Sequence, residues 1–278
     1  MQIIHTPKEL REVISTLKNS GQKIGFTPTM GALHAGHLSL VDTAKEHCDK
    51  IVASIFVNPA QFAPHEDFDS YPRQNEDDIE KLKSRGVDIV YLPEKRAIYP
   101  EGFDIKISVG KIGQILEGVA RPHFFDGVAL VVTKLLMQVQ PDIAVFGEKD
   151  FQQLHIIKKL AKGLDIPVEI IGTPIMREKN GVAMSSRNLY LSEDQMQQAS
   201  NLYKTLKQIR DAINSGTTPD DAIQKGQENL LVKGFDEISY IELCDADTLA
   251  PISKETTSRR LIAAAYLGGI RLLDNIAP

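Results

Sequence analysis

The stretch Pro28-Thr29-Met30-Gly31-Ala32-Leu33-His34-Ala35-Gly36-His37-Leu38 decides how this chain is read. It follows an apolar run, Lys23-Ile24-Gly25-Phe26, of the kind that forms a buried strand. It leads into Leu38-Ser39-Leu40-Val41-Asp42-Thr43-Ala44, which opens a helix. A tight turn of small residues between strand and helix is expected to leave backbone N–H groups free at the positive helix end, a natural anion site. His34 and His37 add ring donors over the same patch, with only Ala35-Gly36 between them, so phosphate is the guest such a turn suits. The same pair also suits a plain capping role at the helix start. No third metal ligand lies nearby, and this spacing on a turn is not that of a catalytic zinc site.

Outward from this turn, strand and helix alternate. Helix 38–48 is followed by strand 51–57, an amphipathic helix around 77–82 and strand 88–92. A long apolar helix over 127–137 precedes strand 143–146, helix 151–162 and strand 168–171. Near-continuous apolar strands separated by helices imply a parallel sheet covered on both faces, hence an α/β, Rossmann-like doubly wound layer. Helix 127–137 is apolar nearly all round (Val128, Ala129, Leu130, Val131, Val132, Leu135, Leu136, Met137), so burial in the core is expected, with a subunit contact at one end as the alternative. The pattern then breaks into a polar hairpin or loop at Arg177-Glu178-Lys179-Asn180-Gly181. A capping box at Ser192-Glu193-Asp194-Gln195 starts a long helix, Thr218-Pro219 starts another, and strand-like runs fill 238–243, 261–266 and 270–273. These form a second, smaller α+β C-terminal domain, with the boundary placed between 175 and 176.

A chain of 278 residues with 42% hydrophobic and 25% charged residues can bury a real core. A net charge of −5 without a basic block argues against a general nucleic-acid or membrane-surface binder. Cys48 and Cys244 form no C-x-x-C pattern, so neither a disulfide framework nor a structural metal site is indicated. The start, Met1-Gln2-Ile3-Ile4-His5, does not read as a signal peptide, and no apolar run approaches membrane-spanning length; a cytoplasmic protein is expected.

Ligands of open α/β sheets bind beyond the carboxyl ends of the strands. Besides the histidine turn, two more segments leave such ends, and a third lies in the loop before the long helix of the second domain. Asn58-Pro59-Ala60-Gln61-Phe62 offers Gln61, an amide suited to hydroxyls or a carboxylate, or else a loop amide bonded to backbone. Phe146-Gly147-Glu148-Lys149-Asp150-Phe151-Gln152-Gln153 offers Lys149 for phosphate charge, Asp150 for ribose hydroxyls or a metal-bound water, and Gln153. Met184-Ser185-Ser186-Arg187-Asn188 offers two hydroxyls and a guanidinium, a group that binds phosphate in bidentate fashion. There is no G-x-x-x-x-G-K-[ST] motif, so a P-loop does not hold the phosphates.

The motifs P-T-M-G-A-L-H-x-G-H, F-V-N-P-x-Q-F, F-G-E-K-D-F-Q-Q and M-S-S-R-N-x-Y-L stand here in order, with Tyr71-Pro72-Arg73 and Tyr240-Ile241-Glu242 between and beyond them. Over essentially its whole length the chain resembles the pantothenate synthetase (pantoate–β-alanine ligase) family of the nucleotidylyltransferase superfamily. The resemblance implies ATP-dependent condensation of pantoate with β-alanine through a pantoyl adenylate, releasing AMP and pyrophosphate, with Mg²⁺ on the phosphates and a homodimeric assembly. It places Met30, Gly31, Ala32, Leu33, His34, Ala35, Gly36 and His37 along ATP, the two histidines on its phosphates. Gln61 and Gln153 would bind pantoate. Gly147, Glu148 and Asp150 would lie along the nucleotide, with Gly147 and Asp150 reaching the ribose and Lys149 the phosphates. Met176 would sit beside adenine, and Met184, Ser185, Ser186 and Arg187 would close over the triphosphate as part of the second domain. His37, His34, Lys149 and Arg187 carry the chemistry in this reading, and no protein residue is assigned to the metal.

One segment departs from the family pattern R-P-G-H-F-x-G-V-x-T-V-V. Here Arg121-Pro122-His123-Phe124-Phe125-Asp126-Gly127-Val128 puts His123 at the usual glycine, Phe124 at the usual histidine, and Leu130 at a threonine. No catalytic role is transferred to His123. Two rival readings stay open: a nucleotidylyltransferase acting on a phosphate ester, for which more Arg or Lys at the acceptor site would be expected, and a non-enzymatic nucleotide sensor.

Overall fold

Alternation of apolar strands with helices becomes, in the computed structural model, a parallel sheet. Residues 1–63, 66 and 68–278 are described. Contacts divide the chain into a first unit, Met1–Glu148 with Gln153–Pro174, and a second, Lys149–Gln152 with Ile175–Pro278.

The elements of the first part of the chain are β1 (Gln2–Ile4), α1 (Pro7–Asn19), β2 (Ile24–Thr29), α2 (Ala35–His47), β3 (Lys50–Ile55), α3 (Asn75–Ser84), β4 (Ile89–Tyr91), α4 (Lys95–Ile98), α5 (Glu117–Ala120), α6 (Phe124–Val139), β5 (Ile143–Gly147), α7 (Phe151–Gly163) and β6 (Glu169–Thr173). The sheet order is β1-β4-β3-β2-β5-β6, with every pairing parallel. The chain winds outward from β2 through β3 to β4, then returns to β5 on the other side of β2. The carboxyl ends of β2 and β5 therefore flank the point where strand order reverses, where a crevice opens in such sheets.

Alternate strand residues feed two apolar clusters, as the period of two demands. Phe26, Val52, Ala144 and Phe146 join residues of α1, α6 and α7 in one; Ile51, Ala53, Ile55, Ile143 and Val145 join residues of α2 and α3 in the other. The doubly wound α/β expectation is met. Helix α6 buries Phe125, Val128, Ala129, Val131, Val132, Leu135, Leu136 and Val139, but Met137 is 57% exposed. The all-round burial expected of this helix is thus corrected at Met137. β1 and α1 went unread, although Thr6 caps α1 by accepting from Glu9 N and Pro7 stands at its first turn.

The second unit holds α8 (Glu193–Asn214), α9 (Pro219–Val232) and the antiparallel sheet β7-β8-β9 (Glu237–Asp245, Arg259–Leu267, Ile270–Ile276). Ser192 and Gln195 form the capping box reciprocally at the start of α8, and Thr218 caps α9 ahead of Pro219. Leu202, Leu206 and Ile209 of α8 and Leu230 of α9 pack on Ile241, Leu261, Ala263 and Ala265. The polar stretch after β6 is a hairpin, bridged at Arg177 and Ala183 and turned at Gly181, whose φ is +97°.

Candidate active site

The β2–α2 turn is built by its neighbours. Gly31 (φ +86°) and Ala32 (φ +50°) take left-handed backbone to reverse the chain between Thr29 and His34. At φ +86° any larger residue would be strained, and a Cβ at Gly31 would also crowd Asp78 Oδ2 at 3.0 Å, so glycine is favoured there. Asp78, fully buried on α3, accepts from Ala32 N at 2.8 Å and Leu33 N at 2.7 Å. Lys81, one turn further along α3, donates to Leu33 O at 2.8 Å. Ala32 N and Leu33 N are therefore not open to an anion, although the sequence alone led us to expect free N–H groups along this turn. The Asp78 carboxylate takes two of them.

The histidines account for the N–H groups of His34 and Gly36. His34 is the N-cap of α2, and its Nδ1 accepts from Gly36 N at 3.1 Å. His37 reaches back so that its Nδ1 accepts from His34 N at 3.4 Å, closing a capping box made of two imidazoles. Their ring centroids lie 4.1 Å apart. The helix consequently starts three residues before the first apolar residue, Leu38, that had marked it in the sequence. Capping and ligand chemistry are not alternatives here. A ring whose Nδ1 accepts a backbone N–H must, when neutral, carry its proton on Nε2, so each cap fixes its imidazole as an Nε2–H donor.

Gln61 ends a short 3₁₀ turn, Pro59–Gln61, that packs on α6. Buried Asn58, which sequence reading passed over, orders this turn. Its Nδ2 donates to Gln61 Oε1 at 3.0 Å and to Gly127 O at 3.1 Å, while its Oδ1 accepts from Tyr99 OH at 2.7 Å. Burial pushes the Tyr99 phenol up to about 12, against the opposing pull of that hydrogen bond, so it stays a donor at neutral pH. With Gln61 Oε1 engaged by a side chain, its amide is oriented with the NH₂ as the remaining donor. Arg121 NH2 donates to Gln61 O at 3.0 Å and its guanidinium is paired with Glu66. Its carbon lies 3.8 Å from the centroid of Phe124, the residue at the family's histidine position. His123 itself is exposed.

Gly147 ends β5, and Glu148–Asp150 forms a single 3₁₀ turn before α7. Gly147, Glu148 and Gln153 belong to the first unit, as do the histidine turn and Gln61. Lys149 and Asp150 belong to the second, where Lys149 Nζ lies 3.6 Å from Asp150 Oδ1. Met184 N donates to Met176 O at 2.9 Å, so the hairpin brings these two methionines together. Ser185 caps the 3₁₀ turn Ser186–Tyr190 by accepting from Arg187 N, and Ser186 is buried. A cavity of about 20 Å³, room for one water molecule, is walled by Lys149, Ser185, Asn188 and Asp274 together with apolar residues. The Lys149 turn and the Ser185 loop thus share a wall. Beneath the hairpin Arg177 makes a bidentate pair with buried Asp274 at 2.7 and 2.8 Å and stacks 3.7 Å from the Tyr203 ring centroid.

A sequence profile described as pantoate-beta-alanine ligase matches residues 2–277. The chain belongs to the pantoate–β-alanine ligase family. It is 46% identical to the pantothenate synthetase of Hyphomonas neptunium over 282 aligned residues, covering 100% of this chain and 96% of that one. The pantothenate synthetase of Caulobacter vibrioides is also 46% identical, with 99% and 98% covered. Among solved structures, the pantothenate synthetase of Thermus thermophilus superposes with a TM-score of 0.93 at 40% identity, covering 99% of both chains. The pantoate-beta-alanine ligase of Francisella tularensis, solved with beta-gamma ATP and beta-alanine, gives 0.85 at 35% identity, covering 100% of this chain and 97% of that one.

Proposed function

We propose that this chain condenses pantoate with β-alanine at the expense of ATP, through a pantoyl-adenylate intermediate. The observation that carries the mechanism is the imidazole capping box, which fixes two imidazoles as Nε2–H donors at the carboxyl end of β2, beside β5 where strand order reverses. Family membership and the relatives' names support the overall reaction.

A carboxylate does not acylate an amine at neutral pH, because oxide is a poor leaving group. In the first step a pantoate carboxylate oxygen bonds to the α-phosphorus of ATP and the bond to the β-phosphate bridging oxygen breaks, releasing pyrophosphate. In the second, the β-alanine amine bonds to the acyl carbon, AMP leaves, and the amine loses a proton. Neither step requires a protein nucleophile; positioning and charge stabilisation suffice. We assign the triphosphate to His34, His37, Lys149, Ser185, Ser186 and Arg187. Gly147 and Asp150 are assigned to the ribose, and Met176 to the adenine. Pantoate falls to Gln61, through the NH₂ that Asn58 orients, and to Gln153. ATP is taken as its magnesium complex, the metal arriving with the substrate and neutralising phosphate charge. A homodimer is part of this reading, with Met137, exposed on α6, as an available apolar contact. So is a cytoplasmic setting. Among the described residues no helix is long and apolar enough to cross a membrane.

Labelled pyrophosphate should exchange into ATP when pantoate is present and β-alanine absent. Exchange should vanish without pantoate. Exchange that ignores pantoate but responds to a phosphate ester would establish the nucleotidylyltransferase reading instead, and a strict requirement for β-alanine would exclude a free acyl adenylate.

A further inference from the structure

Lys149 sits on a turn of three residues, too short to hold a flexible side chain in place by itself. What holds the turn comes from the other end of the chain. Asn275 Nδ2 donates to Lys149 O at 2.9 Å across 126 residues of sequence. Asn275 lies near the end of β9 and is 1% exposed. Its Oδ1 accepts from Arg260 Nε at 2.7 Å, and Arg260 stacks over the Phe151 ring, 4.3 Å from its centroid. A carbonyl can only accept and a guanidinium N–H can only donate, so the Asn275 amide has one workable orientation. Turning it over would set donor against donor and acceptor against acceptor.

The Asn275 backbone is held as firmly. Its N–H donates to Asp274 Oδ1 at 2.7 Å, and its carbonyl accepts from Arg177 NH2 at 3.4 Å, the same guanidinium that pairs with Asp274. Lys149–Gln152 accordingly clusters with the second unit although β5, which it directly follows, belongs to the first. We propose that Asn275 is a positioning residue for Lys149: through its side-chain amide, strand β9 sets where the Glu148–Asp150 turn carries the lysine ammonium. The proposal rests on the reading of Lys149 as a phosphate contact.

Two variants test it in the full-length protein. Asn275→Asp keeps an acceptor for Arg260 but turns an oxygen toward Lys149 O. Asn275→Ser adds no charge and is too short to reach. Pantoate-dependent pyrophosphate–ATP exchange is measured for each, for Lys149→Ala and for the double variants, with melting temperature recorded alongside. The expected result is a fall in the maximal exchange rate of between about tenfold and 10²-fold for either Asn275 variant, the scale on which a misplaced catalytic group costs rate. In the Lys149→Ala background the Asn275 substitutions should lower the rate no further than about twofold, because residues acting through one group are not additive. Slow exchange in Lys149→Ala with full exchange in both folded Asn275 variants would overturn the tether while leaving the phosphate role of Lys149 standing. So would a full-sized further loss in the double variants, or a lower melting temperature with unchanged kinetics. Wild-type exchange in Lys149→Ala would remove the phosphate role, and the tether with it.

Discussion

Replacing Asp78 by alanine tests the claim that α3, rather than a bound anion, holds the histidine turn. The Asp78 carboxylate is fully buried and receives Ala32 N at 2.8 Å and Leu33 N at 2.7 Å. A hydrogen bond to a charged partner contributes about 1.5–3 kcal/mol, and its removal leaves a buried N–H unpaired. Two such bonds give an expected loss of about 3–6 kcal/mol. At roughly 2–4 °C per kcal/mol for a larger domain, the melting temperature should fall by about 6–24 °C. Asp78→Asn keeps one acceptor but sets an amide N–H₂ against the second backbone N–H, so it should lose about half as much. The local consequence matters more than the global one. Without the carboxylate, Gly31 and Ala32 are free to leave their left-handed backbone, and the capping box that orients His34 and His37 loses its anchor. Pantoate-dependent exchange per folded molecule, measured well below the melting temperature, should therefore fall at least tenfold. A stability loss under about 1 kcal/mol would refute the energetic argument. A large stability loss with full exchange would refute the link from turn to histidines.

Other consequences are as direct. His37→Ala should lower exchange by roughly 10²–10³, the scale for a preorganised donor to developing charge, with about 1 kcal/mol lost from the cap; wild-type exchange in the folded variant would sink the assignment. At Gly127 an alanine Cβ would stand 2.0 Å from Ala60 O, so α6 and the Asn58–Gln61 turn must separate. Gly127→Ala should destabilise by about 1–3 kcal/mol and raise the KM for pantoate well above any change for ATP, which parallel substrate titrations would check. Burial pushes Tyr91 and Tyr99 up to about 12 and Cys244 up to about 11, from ordinary values of 10.0 and 9.0. Raised acids favour the fold while they are neutral, so their contribution is complete below pH 9 and is lost as pH rises from there toward 12. Urea midpoints should drop between about pH 9 and 12, and a flat profile over that range would contradict this.

The parallel sheet was legible because its strands are short unbroken apolar runs, such as Ile143-Ala144-Val145-Phe146, with turn residues on either side. The helices of the second unit were legible because Ser192, Gln195 and Thr218 bond within a few residues of themselves. Local chemistry of this kind is written locally. β1 escaped because three residues carry too little periodicity to read. Asn58 escaped because an asparagine before a proline reads as turn chemistry, whereas its buried amide in fact joins Gln61, Gly127 and Tyr99.

By itself the sequence determined that a strand turns into a helix at Met30–His37, that this turn is built of small residues and carries two imidazoles, and that Lys149 and Arg187 lie in similar polar turns. It did not determine who satisfies those turns. A buried N–H must be paired, but nothing in the turn says with what. Only the placement of α3 over the β2–α2 connection made the partner Asp78, 45 and 46 residues distant, and only the docking of β9 against the Lys149 turn made it Asn275, 126 residues distant. Such pairings follow from strand order and packing. They leave no periodic trace in the chain, because a single hydrogen bond constrains one side chain at each end and nothing in between.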